Sequence, residues 1–72
     1  MFRYLVVFEK TANGFSAFVP DLPGCVATGP DKPTTEKHIY EAIQFHIEGL
    51  QAEKQAIPSG NAESEVLVFS GR

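Results

Sequence analysis

Apolar residues alternate along the first nineteen positions in two runs. Phe2, Tyr4, Val6 and Phe8 interleave with Arg3, Leu5, Val7 and Glu9, and Phe15, Ala17 and Val19 interleave with Ser16 and Phe18. A period of two in β-branched and aromatic residues predicts strands. Lys10-Thr11-Ala12-Asn13-Gly14 lies between the runs and ends in Asn-Gly, a pair that tolerates positive φ and favours hairpins, so the two strands are expected to be antiparallel. Pro20 lacks an N–H and ends the second run.

Asp21-Leu22-Pro23-Gly24-Cys25 follows. Pro23 fixes φ near −65° and Gly24 accepts φ > 0, the two central requirements of a type II turn, and Leu22, preceding proline, should be extended. A short third strand is expected over Cys25-Val26-Ala27-Thr28, closed by Gly29-Pro30. The period then changes. Ile39, Ala42, Ile43, His46 and Leu50 recur at helical spacing and define one buried stripe, which Tyr40 and Ile47 widen and from which Phe45 is excluded. Asp31 is placed to cap this helix, with Thr34 or Thr35 as alternatives, and Pro33 is tolerated in the first turn. Ile57-Pro58 stops the helix, and Glu65-Val66-Leu67-Val68-Phe69 reads as a short fourth strand.

The fold expected is α+β, one β-β-β-α-β domain over residues 1–72, with an antiparallel three-stranded meander, one helix and a short C-terminal strand. One helix covers one face of a sheet, yet these strands carry apolar side chains on both. An exposed apolar sheet face is usually an interface, so a homo-oligomer (dimer or tetramer) or another partner is expected.

Composition narrows the partner. A chain of 72 residues buries only about 60% of the surface its unfolded form exposes. Its one cysteine allows no internal disulfide, and no Cys/His spacing fits zinc. The net charge of −3 and pI of 5.2 argue against nucleic acid, whose binding rests on Lys and Arg, and favour a basic protein. No apolar run approaches the roughly 20 residues that span a bilayer, and the first residues do not form a signal peptide, so a cytoplasmic location is expected.

Chemistry is sparse. Metal-dependent hydrolysis of the RNase H type would need clustered carboxylates, whereas Glu9, Asp21, Asp31 and Glu36 are scattered and none lies inside a strand facing a shared site. No enzyme activity, cofactor or metal is expected. Cys25 lacks a neighbouring His or cation and reads as a small core hydrophobe. His38 and His46 are eight apart, not the three or four of a helical ligand pair; His46 is expected packed and His38 exposed. Asp21 reads first as a side chain bonded to backbone N–H groups near its turn, and second as a group that orients a partner. Glu36, Glu41, Glu48 and Glu53 on the outer side of the helix form either a solvated face or an acidic surface for a basic partner.

With the helix in place the chain resembles the HicB-like family, the antitoxins of HicA–HicB toxin–antitoxin systems. The residues that carry the resemblance are the aromatic first hairpin, Asp21-Leu22-Pro23-Gly24-Cys25 with Val26 and Gly29, the segment Glu41 to Leu50, and Ile57-Pro58. The resemblance implies a degenerate RNase H-like fold and a non-catalytic module. The family's toxin is a small basic protein that cleaves mRNA with a histidine, and the antitoxin covers its site. Asp21, Glu41, Phe45 and Glu48 are the partner-binding candidates. Many members continue into a C-terminal DNA-binding domain; here the sequence stops at Arg72, so no direct DNA binding is expected of it. The alternative is a stand-alone dimeric structural or small-ligand-binding domain without a toxin.

Overall fold

The computed structural model describes residues 1–71. Among these, three strands and one helix run in the order β1 (Val7–Thr11), β2 (Gly14–Phe18), β3 (Val26–Gly29) and α1 (Lys32–Ala52). The sheet is an antiparallel meander in which Val7 pairs with Phe18 and Thr11 with Gly14, while Phe15 pairs with Gly29 and Phe18 with Val26.

Each turn follows from its residues, with one correction. The β1–β2 connection is the two-residue turn Ala12-Asn13, and neither Asn13 nor Gly14 has positive φ, contrary to the expectation for Asn-Gly. Gly14 is required for space: a Cβ there would overlap the Gly29 carbonyl oxygen. At the next turn the expectation holds. Gly24 has φ of 82°, and the Cys25 N–H donates to the Leu22 carbonyl at 3.0 Å, bracketing Pro23-Gly24.

Asp31 caps the helix: its carboxylate accepts the Thr34 N–H at 2.8 Å, and its carbonyl accepts the Thr35 hydroxyl at 2.7 Å. At the other end Lys54 has φ of 57°. The N–H of Lys54 bonds the Gln51 carbonyl and that of Gln55 the Leu50 carbonyl, the paired bonds of a Schellman cap in which lysine occupies the position that glycine usually takes.

The helix covers the sheet face carrying Phe8, Ala17 and Ala27, which form one cross-strand row. The buried apolar core is small: Ala17, Val19, Leu22, Cys25 and Ile39. Tyr4, Val6, Ala42 and Ile43 pack around it, and the Lys32 ammonium sits 5.1 Å from the Phe8 ring centroid. Burial pushes the Cys25 thiol pKa up, consistent with its place in the core.

Three expectations are revised. Tyr4 and Val6 pack by side chain, but residues 2–6 form no ladder, since among the described residues no strand lies beside them. Tyr40 lies on the exposed side of the helix. Residues 65–69 are extended from the domain and form no strand, because nothing among the described residues pairs with them. Val66 and Val68 are 90% and 92% exposed.

Candidate partner-binding surfaces

Two surfaces lack a covering element. The first is the outer side of the sheet. Val7, Phe18 and Val26 are cross-strand neighbours, and they point away from the face that carries Phe8, Ala17 and Ala27 because side chains alternate along a strand. Val26 is 64% exposed and Phe18 also reaches solvent. The expected surplus of apolar sheet surface is therefore present.

The second surface is on α1. A 21-residue helix is about 31 Å long. Strands of four or five residues reach only about 17 Å. The C-terminal half of the helix consequently overhangs the sheet, which is why His46 and Leu50 are half-buried while Ile39 is sealed. A shallow groove lined by Phe45, His46, Gly49, Leu50 and Glu53 opens along the overhang.

The structure brings three of the four candidate residues together. Glu41, Phe45 and Glu48 fall at positions i, i+4 and i+7, one face of the helix, and all three are exposed, Phe45 by 78%. An aromatic ring between two carboxylates presents an apolar contact framed by negative charge. Such a face suits a basic surface with a hydrophobic recess.

Asp21 is engaged elsewhere. Its Oδ2 accepts the N–H of Asn61 at 3.0 Å and of Ala62 at 2.9 Å, holding the C-terminal segment against the turn. Asp21 thus bonds backbone N–H groups, but forty positions away and not in its own turn. The Tyr4 hydroxyl donates to the Pro58 carbonyl at 2.7 Å, and Gly60 lies so close to the Arg3 carbonyl that a Cβ would overlap it. Desolvation, and then the charge of Asp21, hold the Tyr4 pKa above the usual phenol value. Sequence reading did not find this clamp, because its contacts are to backbone atoms of a segment with no periodicity.

His38 is exposed but not idle: its Nδ1–H donates to the Thr28 carbonyl at 2.8 Å, tying helix to β3. Asp31 is committed to the helix cap as Asp21 is to the tail, and among the described residues no three metal-ligating side chains converge. No helix among them is long and apolar enough to cross a membrane.

Residues 4–68 match the family model described as the HicB-like antitoxin of bacterial toxin–antitoxin systems. The chain belongs to this HicB-like antitoxin family. It is 42% identical over 53 residues to a UPF0150 protein of Helicobacter pylori, covering 74% of each chain. Over 58 residues it is 36% identical to an uncharacterized protein of Haemophilus phage HP1, covering 81% of this chain but 44% of the phage protein's length. The fold matches a chain of a solved HicA3 and HicB3 toxin–antitoxin complex with a TM-score of 0.71 and 33% identity, over 83% of this chain and 70% of that one. The HicB-like match spans the hairpin, the Pro23-Gly24 turn, α1 and most of the C-terminal tail.

Proposed function

We propose that this HicB-like chain binds a small basic HicA-type toxin and neutralises it by occluding the surface with which it cleaves mRNA, with no catalysis of its own. The observation that carries the reading is the exposed Glu41-Phe45-Glu48 stripe on a member of an antitoxin family. Antitoxin and toxin meet there as an acidic, aromatic ridge on a basic surface. Charge attraction accelerates the encounter, and burial of the Phe45 ring holds the complex. Asp21 contributes at one remove, by fixing the tail. The module works in the cytoplasm as a homo-oligomer, a dimer or tetramer, of a degenerate RNase H-like fold.

The net charge of −3 and the absence of clustered basic side chains on α1 fit a protein partner better than RNA. The test is co-expression with a small basic toxin encoded beside the gene. Restored growth and a co-purifying complex support the proposal; continued growth arrest with both proteins soluble would refute it.

A further inference from the structure

The apolar run Val66-Leu67-Val68-Phe69 is not buried by any described part of its own chain. All four side chains are exposed, and in a strand Val66 and Val68 would face one way and Leu67 and Phe69 the other. A strand apolar on both faces is the pattern of one covered on both sides. The same chain offers a vacant receptor, since β1 is the first strand of the sheet and only its β2 side is paired.

The course of the tail points at that edge. Residues 57–60 lie beside residues 1–3, and residues 60–63 beside residues 3–5, so the tail runs parallel to the segment leading into β1. Asp21 holds it there through Asn61 and Ala62. Beyond Glu63 its described residues are all exposed, whereas continuing on the same course would have taken it along Val7–Thr11.

We propose that residues 65–69 form an exchanged arm, adding as a parallel fourth strand to the free β1 edge of a second copy while that copy's arm pairs in return. Donor and receptor occur on one chain, so the contact is self-complementary and closes as a two-fold dimer. In the receptor, one face of the arm adjoins the helix-covered side and the other extends the outer row of Val7, Phe18 and Val26. Charge is mostly matched: Glu63 and Glu65 lead into the arm, and exposed Arg3 and Lys10 flank the edge, with Glu9 the one like charge. The inference rests on the self-association in the preceding reading and not on toxin binding, so it is tested on the chain alone.

Light scattering across a hundredfold concentration range is expected to give the mass of two chains for the full-length protein. Leu67→Pro, which removes a ladder donor, and deletion of residues 65–72 are each expected to give one chain with the helical circular dichroism retained. In dimers mixed from differently isotope-labelled copies, the neighbouring arm residues Val66 and Leu67, on opposite faces of the arm, are expected to show intermolecular NOEs, one of them to Val7 and the other to Phe8. A full-length monomer at every concentration overturns both the arm and self-association. A dimer that survives the deletion, or NOEs confined within one chain, overturns the arm and leaves self-association standing.

Discussion

The Asp21 carboxylate accepts the Ala62 N–H at 2.9 Å across 41 positions of chain, and through this bond the turn after β2 holds the C-terminal segment. Among the described residues the other side-chain hydrogen bond to that segment comes from Tyr4, just ahead of β1, which bonds Pro58. The tail is therefore positioned by a few polar contacts and Gly60's close approach, not by a core. Asp21→Ala should release it. Each hydrogen bond to a charged group contributes roughly 1.5–3 kcal/mol. Amide hydrogen exchange at Asn61 and Ala62 should accelerate by at least tenfold while exchange in α1 is little changed, and equal exchange in the two proteins would contradict the clamp.

Lys54 stands in the left-handed region at the end of α1, with φ of 57°. Glycine accepts that conformation without a Cβ clash, whereas other L-residues lose about 1 kcal/mol there. Lys54→Gly should raise the midpoint of thermal unfolding by a few degrees, as read by circular dichroism. A lower midpoint would show that the lysine side chain contributes more than its backbone costs.

Asp31 is held below the usual carboxylate range by its hydrogen bonds to Thr34. A carboxyl with a depressed folded pKa stabilises the fold fully above its unfolded pKa, near 3.9, and loses that contribution as pH falls through the lower folded value. Asp31→Ala should lower the unfolding midpoint at pH 7. The difference from the parent chain should begin to shrink as pH falls below about 4 and close only below the lower folded value, where the cap is protonated in both states of the parent. A gap independent of pH would show that the charge is immaterial.

Glu41 and Glu48 frame Phe45 on the exposed face of α1. In the proposed complex, reversing both to Lys should slow association and flatten its salt dependence. Phe45→Ala should instead speed dissociation, weakening affinity by about thirtyfold if the ring is a central contact worth ~2 kcal/mol. Surface plasmon resonance at two ionic strengths separates these effects, and unchanged rates for all three substitutions would place the contact elsewhere.

The meander and helix were legible because local rules governed them. Pro23-Gly24 demanded its turn, Asp31 its cap, and the apolar periodicity its single helix. Phe45 was recognisably outside the buried stripe. What escaped depended on lengths and distant partners. Tyr40, one position past the sealed Ile39, turns to the exposed side of the helix, and the half-exposed Leu50 reflects a sheet too short for its helix, a mismatch that periodicity does not encode. Glu65 to Phe69 has the composition of a strand, but a ladder requires a neighbour, and none pairs with it among the described residues. Asn13-Gly14 kept its hairpin through another backbone geometry, because Gly14 answers to the nearby Gly29 carbonyl.

Inhibition of RNA cleavage tests the central proposal most directly. A purified HicA-type toxin encoded beside this gene is titrated with the chain and its cleavage of an mRNA substrate is followed. Activity is expected to fall linearly to background at a fixed molar ratio, with the Glu41→Lys/Glu48→Lys double variant shifted to higher concentration. Cleavage that continues undiminished in the presence of excess folded chain would contradict the account.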